Sequence, residues 1–296
     1  MKRVLIIGAG GMLGHKMWQV LGKQFQVYGT LRRFEDRLRM TGIFDEQRIV
    51  TDVDAWHLDS VRRAFAETRP DWVLNCVGII KQRQIVHDPK QAIYINALFP
   101  HLLAEICAES GSRLIHVSTD CVFSGRKGSY LETDPSDAED QYGRTKFLGE
   151  VTSHGCLTVR TSIVGRDLFS NYSLIDWFLS QVGKRVKGYT RAIYTGLTTA
   201  ALSREIGRII SAFPSLEGLY QVSSAPISKY DLLQMLNTAF NCGITIDRDQ
   251  NFVLDRSLLS NRYWQATDSQ APSWQEMVTE LSQDPTDYDG LRKLLY

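Results

Sequence analysis

No stretch of the sequence is apolar over the roughly 18 residues that a membrane-spanning helix requires. The sequence also has no large excess of charge of either sign, because 34 lysines and arginines and 33 aspartates and glutamates give a net charge of +1. Such a balance provides no field that would attract nucleic acid or an anionic membrane. Neither is therefore expected as a partner, and a small molecule is the default ligand.

Cysteine and histidine are scarce and scattered. The five cysteines are odd in number and widely spaced, and they form no Cys-x-x-Cys pair that could begin a zinc site. His57, His87 and His101 do not have the spacing of metal ligands either. No metal site is predicted, and reduced thiols in a cytoplasmic protein are expected.

Short runs rich in valine and isoleucine alternate with segments of helical periodicity in the first half of the chain. The predicted buried strands are residues 4–7, 25–28, 72–77, 114–117 and 157–159. The predicted helices between them are residues 12–21, 58–67, 92–109 and 142–151. Strands that alternate with helices predict an α/β fold of the Rossmann type, a doubly wound parallel sheet covered on both faces.

The pattern changes after about residue 165, where helical segments at 174–182, 199–210 and 228–240 follow one another. At 296 residues the chain is long enough for two lobes. We predict a dinucleotide-binding domain over residues 1–165 and a smaller, mainly helical substrate lobe over 166–296, whose elements can interleave.

A glycine-rich turn follows the first strand directly and reads Gly8-Ala9-Gly10-Gly11-Met12-Leu13-Gly14. Glycines at this point allow a tight turn and a close backbone approach, so a pyrophosphate can bind the free N–H groups of the next helix. The spacing differs by one residue from Gly-x-Gly-x-x-Gly, and a turn without a ligand is the alternative. Gly8, Gly11, Met12 and Leu13 are the predicted contacts.

The second strand should end near Thr30, where a site for NAD would carry an acidic residue. Arg32 and Arg33 stand there instead, and a guanidinium would pair with a 2′-phosphate. The pattern favours NADP(H) over NAD(H), with a solvated basic loop as the alternative because Arg37 and Arg39 follow. Further candidate cofactor contacts close the third and fourth strands; they are Asp52, Val53, Cys76, Val77 and Gly78.

Tyr142 and Lys146 are four residues apart and should share one face of a helix. A nearby cation favours a phenolate, so we expect the pKa of Tyr142 to fall toward the working pH and the phenol to act as a general acid. The fifth strand ends at Thr119, whose hydroxyl could polarise a carbonyl. Chance occurrence and an ordinary strand end are the alternatives. Thr119, Tyr142 and Lys146 are the predicted catalytic residues, with Tyr142 and Lys146 also touching the cofactor.

Four motifs follow one another along the chain: the glycine turn, residues 75–78, Ser118-Thr119-Asp120 and Tyr142-x-x-x-Lys146. With these motifs in this order, the chain resembles an extended short-chain dehydrogenase/reductase. Within this class, the chain is similar to the dTDP-4-dehydrorhamnose reductase group at residues 118–125, 160–162 and 218–223. The similarity spans nearly the whole chain. The resemblance implies NADPH-dependent reduction of a 4-keto-6-deoxy sugar on a nucleoside diphosphate, by Thr119, Tyr142 and Lys146. It also implies that Asp52 and Val53 flank the adenine and that the C-terminal lobe holds the sugar nucleotide.

Two departures from the group leave the substrate open. Cys121 replaces the usual tyrosine after the Ser-Thr-Asp triplet, and residues 77–82 lack the usual small and aromatic segment. An N-acetylated UDP-sugar ketone is therefore an alternative substrate. The candidate substrate residues are Lys81, Cys121, Asn171, Arg191 and Tyr194. The basic stretch of residues 184–191 could meet a diphosphate or could be a solvated helix end.

Other functions stay open at this point. A 4,6-dehydratase needs a glutamate where Cys121 stands, which favours a reductase. A 4-epimerase would use the same tyrosine and lysine with tightly bound NAD. A regulatory subunit would use the fold without catalysis, because fold alone does not prove activity. A homodimer is the candidate assembly.

Overall fold

The computed structural model describes residues 1–79 and 88–293. Its strands are β1 (Arg3–Ile7), β2 (Gln26–Thr30), β3 (Ile49–Val50), β4 (Trp72–Asn75), β5 (Arg113–Thr119), β6 (Cys156–Thr161), β7 (Ile163–Val164), β8 (Arg185–Tyr194), β9 (Leu197–Thr198), β10 (Gly218–Gln221), β11 (Ile227–Ser228) and β12 (Thr245–Asp255). Its helices are α1 (Met12–Leu21), α2 (Asp36–Arg39), α3 (Leu58–Thr68), α4 (Pro89–Ala92), α5 (Phe99–Ser110), α6 (Gln141–Leu148), α7 (Leu174–Leu179), α8 (Thr199–Ala212), α9 (Lys229–Ala239), α10 (Asn261–Ala266), α11 (Trp274–Ser282) and α12 (Tyr288–Lys293). A π-helical segment, Ile93–Leu98, joins α4 to α5.

The central sheet has the strand order β10-β6-β5-β4-β1-β2-β3, and all its pairings are parallel. The inner strands are buried along most of their length, since helices cover both faces. Their β-branched and leucine side chains divide between two core clusters, one on each face. The predicted doubly wound α/β sheet is therefore confirmed. Because every strand points the same way, all the carboxyl ends meet at one edge.

The C-terminal part contains a second sheet that the helical pattern did not indicate. Its strand order is β11-β8-β12, with β8 and β12 parallel and a bulge between Asp249 and Val253. Residues 185–191 of the basic stretch lie in β8, so the interpretation of this stretch as a helix end is wrong. Arg185 pairs with Asp247 at 2.7 Å and Lys187 with Asp249 at 3.2 Å. The acidic residues of β12 thus neutralise part of this stretch. The sequence did not indicate these pairs, because their members are far apart in the chain.

The chain returns to the central sheet after residue 165. Strand β10 pairs with β6, and helix α8 packs against α1, where a Cβ at Gly207 would lie 3.1 Å from Leu21. The C-terminal part therefore completes the core of the predicted dinucleotide domain as well as carrying its own sheet. Among the described helices, none has the length and apolar character needed to cross a membrane.

Candidate active site

The glycine turn between β1 and α1 has the geometry of an anion cradle. Gly8 adopts a left-handed conformation (φ +85°), and a Cβ there would lie 2.9 Å from Val77. A Cβ at Gly14 would overlap the Gly8 carbonyl oxygen. Gly11 precedes α1 in an extended conformation and supplies no side-chain cap, so the first N–H groups of the helix stay available to a phosphate.

Two arginines follow β2 at the edge of this cradle. Arg32 and Arg33 are exposed, and neither has an acidic partner within residues 1–79 and 88–293. Arg37, in contrast, pairs with Glu35 at 2.6 Å, and Arg39 pairs with Glu46. The basic run therefore divides into neutralised residues and two cations that are available to an anion.

The turns after β3 and β4 bring the remaining cofactor candidates to the same edge. Val53 is buried and its N–H donates to the Leu31 carbonyl, while Asp52 is exposed with φ +56°. Cys76 Sγ lies 3.5 Å from Met17 Sδ of α1, and Val77 packs against Gly8. The residues predicted beside a dinucleotide thus lie around one turn, although their contact with a cofactor stays a prediction.

Helix α6 brings Tyr142 close to the end of β5. Asp140 caps the helix by accepting from the Gly143 N–H at 2.8 Å. A Cβ at Gly143 would overlap the Cys121 carbonyl, so glycine lets the helix approach the turn after Thr119. Thr119 lies close enough to Tyr142 for its side chain to lower the pKa of the phenol. Thr119 also donates to Asp120 at 3.1 Å, and burial raises the pKa of the Asp120 carboxyl.

The predicted fall in the pKa of Tyr142 is wrong for this structure. Burial raises the pKa of the phenol, and the nearby Cys121 adds to the increase. Lys146 lies one helical turn away, but its Nζ donates to the Val117 carbonyl at 2.8 Å. Burial lowers the pKa of Lys146 to about 8. The tyrosine therefore keeps its proton at neutral pH, as a proton donor must.

The candidate substrate residues separate into two sets. Cys121 lies beside Tyr142, and Tyr194 is buried close enough to Asp120 and Cys121 for their charges to act on it. Arg191 is exposed on the face of β8 opposite Tyr194, and Asn171 is exposed in the loop before α7. Lys81 lies outside the described residues. The structure thus brings two of these five candidates close to Thr119 and Tyr142.

Two further polar residues at this site were missed from the sequence. Arg256, which follows β12, donates to the Phe123 carbonyl at 2.8 Å and to Cys121 Sγ at 3.4 Å. It is 135 residues from Cys121 in the chain, and no local motif connects them. His116 lies on β5 beside Lys146, where the run of buried strand residues indicates only burial. Both are found only from tertiary contacts.

A parallel seven-stranded sheet among the described residues, a glycine turn after β1 and a Thr-Tyr-Lys set at the carboxyl edge define an extended short-chain dehydrogenase/reductase. The chain belongs, within that class, to the family of the RmlD substrate binding domain, whose family model matches residues 1–175.

The chain is 28% identical over 237 residues to the spore coat polysaccharide biosynthesis protein SpsK of Bacillus subtilis, covering 78% of this chain and 76% of that protein. It is 34% identical over 151 residues to a dTDP-4-dehydrorhamnose reductase of Mycolicibacterium smegmatis, covering 50% of this chain and 40% of the relative. A crystal structure of dTDP-4-dehydrorhamnose reductase from Bacillus anthracis in complex with NADP has a TM-score of 0.77 at 22% identity, covering 95% of this chain and 99% of that one. This structural likeness concerns the fold.

Proposed function

We propose that the protein is an NADPH-dependent reductase of a nucleoside-diphosphate 4-keto-6-deoxy sugar. The observation that carries the proposal is the proximity of Thr119 and Tyr142 at the carboxyl edge, with Lys146 one helical turn further on. A polarising hydroxyl, a proton donor and a cation are the groups that reduction of a ketone requires. The name of the relative at 34% identity, dTDP-4-dehydrorhamnose reductase, supports this class of substrate. The name of the relative at 28% identity supports a role in polysaccharide biosynthesis.

The cradle fits a dinucleotide diphosphate with a 2′-phosphate. A side chain at Gly8 or Gly14 would occupy the space in which neighbouring parts of the turn approach each other closely. Arg32 and Arg33 would hold the 2′-phosphate, because they are the exposed cations after β2 without a described acidic partner. When bound, NADPH supplies the hydride for the carbonyl carbon.

The chain's own residues handle the proton. Thr119 would donate to the carbonyl oxygen and draw electron density from its carbon. Tyr142 would give its phenolic proton to that oxygen as the C–H bond forms, leaving an alcohol and a phenolate. Since burial raises the pKa of Tyr142, the phenolate is unstable in this environment and would recover a proton readily. Lys146 stands one turn away on the same helix, and its ammonium would stabilise that anion.

The sugar nucleotide would bind over residues 166–296, with Tyr194 and Cys121 facing the sugar. Cys121 is smaller than the tyrosine usual at its position, and Arg256 adds a cation beside it. These features are compatible with a dTDP-4-dehydrorhamnose-like sugar or a bulkier UDP-N-acetyl analogue. The predicted homodimer stays a prediction.

The test is NADPH consumption, followed by absorbance, with a panel of dTDP- and UDP-linked 4-keto sugars. Tyr142→Phe should reduce kcat by at least about 10²-fold while NADPH binding stays within a factor of about two. Tyr230→Phe is the matched control, because it also removes one hydrogen-bonded phenol but from α9. Wild-type turnover by the Tyr142 variant would refute the mechanism. Isomer formation without net NADPH loss would indicate an epimerase, and no turnover with any sugar would indicate a regulatory subunit.

A further inference from the structure

A buried histidine that the proposed mechanism does not use lies beside Lys146. His116 is 1% exposed on β5, opposite Asn75 of β4 in the sheet register. Its Nδ1 lies 3.1 Å from Asn75 Nδ2, and its Nε2 lies 3.4 Å from Lys146 Nζ. Asn75, His116 and Lys146 thus form a continuous buried chain of polar groups that ends at a predicted catalytic residue.

The orientation of the Asn75 amide determines where the ring carries its proton. Asn75 Oδ1 accepts from the Val77 N–H at 3.1 Å, which leaves its NH₂ group facing the histidine. An NH₂ group can only donate, so Nδ1 of His116 must be the acceptor. The neutral ring then carries its single proton on Nε2. Protonation of Nδ1 would place its N–H group against the NH₂ group of Asn75, and both groups are donors. The ring is therefore held neutral, in agreement with the strong lowering of the His116 pKa by burial.

This tautomer points an N–H group at Lys146 Nζ. An ammonium has only donors and is opposed by Nε2–H, whereas a neutral amine can accept from Nε2–H and still donate to the Val117 carbonyl. We propose that Asn75 and His116 form a positioning pair that fixes an Nε2–H group beside Lys146 Nζ and thereby favours release of the third proton of the ammonium. The inference rests on the proposed reductase function for the role of Lys146 in catalysis.

The other groups around this pair act in known directions. Glu150, which follows α6, and Cys76, which follows β4, both raise the pKa of Lys146. His101 of α5 and Lys146 itself lower the pKa of His116. Glu150 and Cys76 both favour the charged form of Lys146, so neither explains why its ammonium would release a proton easily. Burial and the Nε2–H group of His116 are the features that favour the neutral amine.

The first test reads the tautomer directly by ¹⁵N NMR of histidine-labelled full-length protein, with His116→Leu used to assign the signal. The expected result is a proton on Nε2 and no titration of the ring between about pH 5 and pH 9. A proton on Nδ1, or a ring that titrates in this range, would overturn the proposal. This measurement needs neither cofactor nor turnover.

The second test reverses the tautomer. In Asn75→Asp the carboxylate accepts from Nδ1–H, so Nε2 becomes an acceptor for the ammonium, and the pKa of Lys146 should rise by about one unit or more. It is measured from the ¹³Cε shift in lysine-labelled protein, assigned with Lys146→Met. The double variant Asn75→Asp/His116→Leu has the carboxylate without the ring and measures the direct effect of the charge. An equal rise in both variants would refute the pair.

Activity provides the third readout. If the protein is a reductase, the alkaline limb of its kcat profile should move upward in Asn75→Asp by the same shift as the Lys146 pKa, with KM for the sugar nearly unchanged. A limb that stays in place while the Lys146 pKa moves would refute the functional part of the inference. If wild-type protein reduces no sugar, the proposed function fails, whereas the NMR results still decide the tautomer and its effect on Lys146.

Discussion

The buried ion pair between Arg160 and Glu150 makes a strong prediction about stability. Arg160 Nη2 and Nε lie 2.6 and 2.9 Å from the two oxygens of Glu150, and the side chains are 2% and 7% exposed. Ser118 donates to the same carboxylate at 2.7 Å. The pair joins β6, β5 and the end of α6, and it therefore supports the elements that carry Thr119 and Lys146.

Arg160→Leu leaves the Glu150 carboxylate buried with a hydroxyl as its remaining partner. Removal of one member of a buried pair costs about 3–5 kcal/mol, because the desolvated charge loses its compensation. Total stabilities of domains are about 5–15 kcal/mol, so the loss is a large fraction. At about 2 °C per kcal/mol for a large domain, we expect Tm to fall by roughly 6–10 °C.

The assay is denaturant unfolding and calorimetry of Arg160→Leu, Glu150→Leu and the double variant. The double variant should be more stable than the sum of the single changes predicts, since neither charge is then left buried alone. Arg62→Ala is the control, because the Arg62–Glu109 pair is exposed and its loss should leave Tm almost unchanged. A drop below about 1 kcal/mol in Arg160→Leu, or strict additivity, would contradict the reasoning.

Three further predictions concern the proposed cofactor and proton chemistry. Arg32→Ala combined with Arg33→Ala should weaken NADPH at least about tenfold more than NADH in direct binding titrations, and equal losses would exclude 2′-phosphate recognition. Gly14→Ala should lower both Tm and NADPH affinity, because its Cβ would overlap the Gly8 carbonyl, whereas Gly11→Ala has its nearest contact at 3.5 Å and should affect binding with little change in Tm. Reduction should decline as the pH rises through about 8, since Lys146 is an ammonium below that pKa and a neutral amine above it; a flat kcat profile from pH 7 to 9 would contradict this role.

Local sequence determined a large part of this protein. Runs such as residues 4–7 alternate with helical periodicity, and this alternation is sufficient for a parallel sheet because each parallel pairing needs a crossover. The glycine turn was predictable for the same reason, since strand, turn and helix are contiguous. The four-residue spacing of Tyr142 and Lys146 is also a local property of a helix.

Tertiary structure alone decided the rest. Strands β8 and β12 pair across more than fifty residues, so the partner of each strand cannot be predicted from its own sequence. Arg256 reaches Cys121, and Asn75 reaches His116, through contacts between separate elements. The pKa of Tyr142 moved opposite to the expectation because burial, a property of the packed chain, outweighs the helical neighbour that the sequence displays. Spacing along the chain determines which groups share an element, whereas desolvation and hydrogen-bond direction depend on what the other elements place against them.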